Sequence, residues 1–139
     1  MSDVLRGLQP ARLWELFGNI ARVPHGSLNE KALAGSLRLM AEETGLTVQE
    51  DTSGNLCIAV PASPGYEKAP IVVLQGHLDM VCEKNKGTAH NFDTDPIKLR
   101  RDERWIKADG TTLGSDNGVG IAASLAVAVD EDVIHGPIE

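Results

Sequence analysis

The sequence predicts an α/β fold with three layers, in which a mixed sheet lies between helices on both of its faces. Three observations indicate this class: helical periodicity at both ends of the chain, a hairpin pattern over residues 46–60, and the apolar run Ile71–Leu74 before Gln75 and Gly76. A short apolar run rich in β-branched residues is typical of a strand buried on both faces. Such a strand requires helices above and below the sheet.

Two amphipathic helices are predicted before the first strand. Pro10 suits the first position of a helix, which should end near Pro24 because the residue before a proline avoids the α region. The apolar face of this helix consists of Leu13, Leu16, Phe17 and Ile20. Ser27 and Glu30 have the spacing of a capping box and should open the second helix, and Gly45 suits the position just after its end.

Two pairs of short strands are predicted. Leu46–Glu50 alternates apolar and polar residues, and with Leu56–Val60 it forms the pattern of a hairpin. Ile97–Leu99 and Trp105–Ala108 indicate a second pair around a turn at residues 101–104.

Composition restricts the class of protein. The chain has 139 residues, 42% of them hydrophobic, and a net charge of −7, which indicates a globular domain and disfavours nucleic acid as a partner. No stretch has the length of a membrane span, and the N-terminus lacks the pattern of a signal peptide. Cys57 and Cys82 form no Cys-x-x-Cys motif, so we expect two buried, reduced cysteines and a cytoplasmic protein without a membrane partner.

Two clusters carry the candidate chemistry. His77 and Asp79 follow the Ile71 strand, and Asp116 lies in a glycine-rich turn before the apolar helix predicted over Val119–Val129. Open α/β sheets place their sites at the carboxyl ends of strands. Imidazole nitrogen and carboxylate oxygen suit Zn²⁺, and Asp79 could accept a hydrogen bond from the imidazole of His77. Two simpler interpretations remain: a chance His-x-Asp pattern, and Asp116 as a helix N-cap.

The longer motifs resemble a known family. Gly76–Val81 followed by Asp109–Gly118 resembles the two leading metal motifs of the co-catalytic zinc aminoacylase, carboxypeptidase and dipeptidase clan. When Glu83–Asn85 and Asp95–Pro96 are included, the sequence pattern is similar to that of the aminoacyl-histidine (Xaa-His) dipeptidase branch of that clan. The resemblance extends over nearly the whole chain, so it implies a zinc-peptidase-like fold and the hydrolysis of Xaa-His and related dipeptides.

The resemblance also implies a role for each candidate residue. His77 would bind one zinc ion, Asp79 would orient His77 as a catalytic residue, and Asp116 would bridge two zinc ions. In this family a cis peptide bond often follows the bridging aspartate, here at Asp116–Asn117. A metal-activated water would attack the peptide bond, and a glutamate would take its proton. Nitrogen and oxygen ligands would also accept Co²⁺ or Mn²⁺.

The resemblance implies that residues 1–139 are the N-terminal part of a catalytic domain. The catalytic glutamate of the family belongs to an acidic pair, and Glu139 lies too early and lacks an acidic neighbour. The remaining ligands and the lid or dimerisation domain of a homodimeric protein would lie elsewhere, so the chain alone should be inactive. Two alternatives remain open: another activity of the clan (tripeptidase, carboxypeptidase or N-acyl-amino-acid deacylase), and a non-catalytic metal- or peptide-binding relative.

Overall fold

Helices and strands both contribute to the architecture, as the predicted α/β class requires. The computed structural model describes residues 3–139. In chain order the elements are a 3-10 turn (Asp3–Leu5), α1 (Ala11–Ile20), α2 (Lys31–Glu43), β1 (Thr47–Glu50), β2 (Leu56–Ala59), β3 (Leu99–Asp102), β4 (Trp105–Ala108) and α3 (Ser115–Val129). Within residues 3–139, no helix is both long enough and apolar enough to cross a membrane.

The start of α2 differs from the predicted capping box. The N-cap position is Glu30 rather than Ser27, and no side chain caps the helix. The hydroxyl of Ser27 instead donates a hydrogen bond to Asp79, 52 residues further along the chain. The carboxylate of Glu30 accepts from the backbone N–H of Leu28 at 2.8 Å, outside the helix. The Ser27 hydroxyl therefore makes a tertiary hydrogen bond instead of the helix-capping bond that the local pattern predicted.

Both predicted strand pairs form as antiparallel hairpins. In the first, Thr47 pairs with Ala59 and Glu50 with Leu56. In the second, β3 continues to Asp102, which pairs directly with Trp105. The turn therefore occupies residues 103–104 and not 101–104 as predicted, with Glu103 in the left-handed region at φ 54°.

The predicted buried strand at Ile71–Gln75 is only partly realised. Val72 forms a parallel bridge with Ile138, and Ile138 forms an antiparallel bridge with Val60, so the pairing in this region is mixed. The prediction of burial was wrong, because Ile71 is 58% exposed and Val73 is 65% exposed. Val73 also lines an open groove of about 650 Å³, together with residues of β2. Of the predicted central sheet, this region therefore contains only the bridges that join Val60, Ile138 and Val72.

The main core lies between α1 and α3. Its buried residues are Leu5, Leu16, Phe17, Ile20, Leu33, Leu37, Ala122 and Leu125. Phe17 is 1% exposed, and a Cβ at Gly118 of α3 would lie 3.3 Å from its ring. The absence of a side chain at Gly118 lets the first turns of α3 approach α1 closely. This packing fixes the start of α3, where Asp116 lies.

Candidate metal centre

Gly76 brings the segment that carries His77 against the start of α3. A Cβ at Gly76 would lie 2.5 Å from the amide nitrogen of Asn117 and 2.8 Å from the side chain of Ile121. Both distances are below any normal contact, so a larger residue would have to displace these two side chains of α3. The segment that carries His77 therefore lies directly against the start of α3, and His77 reaches Asp116, 39 residues later.

Gly114 controls the approach to Asp116 from the other side. It is the N-cap residue of α3 and adopts the left-handed conformation at φ 72°, which favours glycine. A Cβ there would lie 2.8 Å from the sulfur of Met80 and 3.4 Å from Nε2 of His25. Asp116 itself has non-helical dihedrals (φ −96°, ψ 102°), and the Asp116–Asn117 peptide bond is cis, as the resemblance implies.

The imidazole of His77 lies between two carboxylates. Its Nδ1 is 3.0 Å from Oδ1 of Asp79 and 3.0 Å from the backbone carbonyl oxygen of the same residue. Its Nε2 is 3.1 Å from Oδ1 of Asp116. The structure thus brings together all three residues that the sequence identified.

This arrangement requires a positive charge on or beside the ring. A neutral imidazole has one N–H, and a carboxylate can only accept, so two flanking carboxylates cannot both be satisfied by neutral His77. The hydrogen bond to Asp116 raises the pKa of His77, with Asp79 contributing to the same shift. Ser27 is the largest cause of the lowered pKa of Asp79, and His77 adds to it. A cation at Nε2 would serve the same purpose as the extra proton.

The geometry at Nε2 fits a shared metal ion. Two ligand atoms, each about 2.0–2.2 Å from Zn²⁺, lie about 2.8–3.6 Å apart for coordination angles between about 90° and the tetrahedral angle. The 3.1 Å between Nε2 of His77 and Oδ1 of Asp116 falls in this range. Asp116 is 95% exposed, so its carboxylate is also accessible to a second ion. Within residues 3–139, no three His, Cys, Asp or Glu side chains are grouped so as to hold a metal ion, so this pair would need further ligands.

Two buried histidines and both cysteines lie outside this centre. His25 is 3% exposed, and its Nδ1 lies 2.6 Å from the carbonyl oxygen of Val23. His90 is also buried, and its Nε2 has no hydrogen-bond partner among the described residues. Cys57 and Cys82 are free thiols, and Cys57 is exposed rather than buried as predicted, because it points away from the core on β2.

Two residues that support the centre were not identified from the sequence as doing so. Ser27 contacts Asp79, and Gly76 permits the close approach to α3 described above. Gly76 belongs to the first motif, but its contacts depend on residues distant in the chain. Ser27 was noticed in the sequence but was assigned to a helix cap, because the sequence does not show that Asp79 lies next to it in the fold.

Solved structures of two peptidases have the same fold as this chain. The chain shares its fold with a tripeptidase from Staphylococcus aureus (TM-score 0.70, 24% identity, 91% of this chain and 34% of that chain). It shares it also with the aminopeptidase PepT from Bacillus cereus (TM-score 0.69, 24% identity, 91% of this chain and 34% of that chain). At this identity the likeness shows the fold alone.

Two dipeptidases are much more similar to the chain. The cytosol non-specific dipeptidase of Escherichia coli strain K12 is 49% identical over 135 residues, which are 97% of this chain and 28% of that protein. The aminoacylhistidine dipeptidase of Vibrio alginolyticus is 47% identical with a TM-score of 0.94 over 96% of this chain and 27% of that chain. No family model matches the chain. The resemblance found in the motifs is thereby confirmed, and the chain spans about a quarter of these dipeptidases.

Proposed function

We propose that the protein containing this chain is a metal-dependent dipeptidase that hydrolyses Xaa-His and related dipeptides. The main support is the Asp79–His77–Asp116 constellation, in which Nε2 of His77 and a carboxylate oxygen of Asp116 lie 3.1 Å apart. The near-complete coverage of this chain by two proteins named as dipeptidases supports the same activity. The V. alginolyticus relative is named for aminoacylhistidine substrates, whereas the E. coli relative is named as a non-specific dipeptidase.

In this proposal each residue has a separate task. Asp79 accepts the Nδ1–H proton of His77 and thereby leaves the lone pair of Nε2 directed at the metal position. Asp116 presents an exposed carboxylate that can bridge two ions. Two zinc ions, when bound, supply a water of lowered pKa and stabilise negative charge on the substrate oxygen. No residue of this chain is assigned as the general base.

We further propose that residues 1–139 form the N-terminal part of the catalytic domain. His77 and Asp116 supply two ligands, and the described residues provide no third ligand near them. The remaining ligands and the general base would come from outside this chain. Free cysteines and the word "cytosol" in the name of the E. coli relative support a cytoplasmic location. The resemblance also implies that the full-length protein is a homodimer, which analytical sedimentation would test.

A substrate panel on the full-length protein tests this function. The panel would contain Xaa-His dipeptides, other dipeptides, a tripeptide and an N-acyl amino acid, each measured before and after chelation. We expect dipeptides to be cleaved fastest, activity to disappear with chelator, and added Zn²⁺, Co²⁺ or Mn²⁺ to restore it. Cleavage of the N-acyl amino acid alone would assign a deacylase instead, and metal binding without any hydrolysis would assign a binding protein.

A further inference from the structure

We propose that Ser27 is a positioning residue of the metal centre, whose hydroxyl holds Asp79 so that Asp79 fixes the ring of His77. This inference rests on the proposed function. Oγ of Ser27 donates to Oδ2 of Asp79 at 2.5 Å, and Oδ1 of the same carboxylate faces Nδ1 of His77 at 3.0 Å. Both oxygens of Asp79 are therefore engaged, one by each neighbour. Rotation of the carboxylate would break one contact or the other.

The backbone next to Ser27 is hydrogen-bonded to the segment that carries Asp79. The carbonyl oxygen of His25 accepts from the N–H of Met80 at 3.0 Å, and Gly26 forms a parallel bridge with Met80. A Cβ at Gly26 would lie 2.6 Å from the sulfur of Cys82, so the two segments are in close contact. Backbone pairing therefore holds Ser27 close to the segment that carries Asp79.

The hydroxyl has no competing structural task in the part of the chain that the structure describes. It is not the N-cap of α2, since Glu30 holds that position without a side-chain cap. Asp79 is its one recorded hydrogen-bond partner within residues 3–139. Glu30, the other half of the expected capping box, accepts from Leu28. The contact to Asp79 therefore accounts for the serine better than a role in the helix does.

Loss of the hydroxyl would loosen His77 through Asp79. The side chains of Asp79 and His77 are 34% and 50% exposed, so packing alone does not hold them in place. A hydrogen-bonded carboxylate fixes the tautomer and the ring orientation of a metal-binding histidine, and its loss costs about 10–100-fold in metal affinity. Ser27 acts one hydrogen bond further away, so a smaller effect of about fivefold is expected.

The test compares metal binding by the full-length protein carrying Ser27→Ala, Ser27→Thr or Ser36→Ala. Ser36 is an exposed serine on α2 and controls for the loss of a hydroxyl. Zn²⁺ affinity would be measured by competition with a chromophoric chelator, and ligand geometry by the visible absorption of bound Co²⁺. We expect Ser27→Ala to bind Zn²⁺ about fivefold more weakly with an altered Co²⁺ spectrum, and Ser27→Thr and Ser36→Ala to match the wild type.

Two results would overturn the role of Ser27 while leaving the metal centre intact. One is a Ser27→Ala protein that binds Zn²⁺ as the wild type does and gives the same Co²⁺ spectrum. The other is a Ser27→Thr protein as impaired as Ser27→Ala, since the hydroxyl would then not be the group that matters. Failure of the wild type to bind Zn²⁺, or unchanged binding by His77→Ala, would instead overturn the proposed function and this inference with it.

Discussion

At the scale of single residues, the imidazole of His77 between two carboxylates determines the properties of the centre. The lone pair of its Nε2 is needed for a metal, and a proton competes for the same lone pair. Because Asp116 and then Asp79 raise its pKa, His77 of the metal-free protein should titrate above its ordinary value of about 6.5. The metal affinity should consequently decrease as the pH falls through this raised pKa.

The Asp116→Asn substitution tests this electrostatic assignment. In the metal-free protein it should return the pKa of His77 towards its ordinary value, as followed by NMR titration of the ring protons. The sign for stability follows from linkage: the raised pKa of His77 stabilises the fold below pH about 6.5, and this contribution is lost as the pH rises through the raised value. Asp132→Asn, an exposed change beyond α3, controls for net charge. An unchanged His77 titration in Asp116→Asn would contradict the assignment.

At this scale the candidate site residues could be selected from the sequence, but the neighbours of each side chain could be predicted only in part. His77, Asp79 and Asp116 were selected from local motifs, and the structure brings their side chains together. Ser27 was misassigned because the same serine suits a helix cap and a carboxylate partner, and only the fold decides between them.

At the scale of elements, the turn before α3 determines where Asp116 lies. Gly114→Ala should destabilise the protein by more than the roughly 1–2 kcal/mol expected for an alanine in the left-handed conformation, because its Cβ would meet the sulfur of Met80. It should also weaken Zn²⁺ binding by displacing Asp116. Urea unfolding and a Zn²⁺ titration measure the two effects.

Gly45→Ala provides a matched control for this substitution. Gly45 has φ 80°, and nothing lies within 4 Å of a Cβ built there. It should therefore show the conformational cost alone, with unchanged Zn²⁺ affinity. Equal loss of stability in the two variants, or an unaffected metal site in Gly114→Ala, would show that the turn does not position Asp116.

Elements defined by short-range periodicity were predicted well. α1, α2 and both hairpins follow from residues within one or two turns of each other, and their bounds differ from the expected ones by a few residues. Residues 71–75 were predicted less well, because the burial of a central strand depends on what covers it. Here Ile138 pairs with Val72 and with Val60, while the neighbouring side chains face an open groove.

At the scale of the whole molecule, the proposed function implies that the 139-residue chain supplies part of a metal site. Two candidate ligands lie together, and no third ligand accompanies them within residues 3–139. Co-catalytic zinc chemistry needs a closed ligand set and a base for the water proton. The purified chain, supplied with Zn²⁺, should therefore show no hydrolysis of dipeptides by chromatographic assay, whereas the full-length protein should. Hydrolysis by the 139-residue chain alone would contradict this account.

The most direct test of the central claim is a Zn²⁺ titration of the full-length protein and its His77→Ala variant. His135→Ala is the matched control, since His135 bonds to the backbone of Gly136 and takes no part in the site. Loss of a direct ligand should cost more than the about 10–100-fold typical of its outer partners. The account predicts that His77→Ala loses more than about 100-fold in affinity for at least one Zn²⁺, while His135→Ala binds as the wild type does. Equal Zn²⁺ affinity of the wild type and His77→Ala would contradict it.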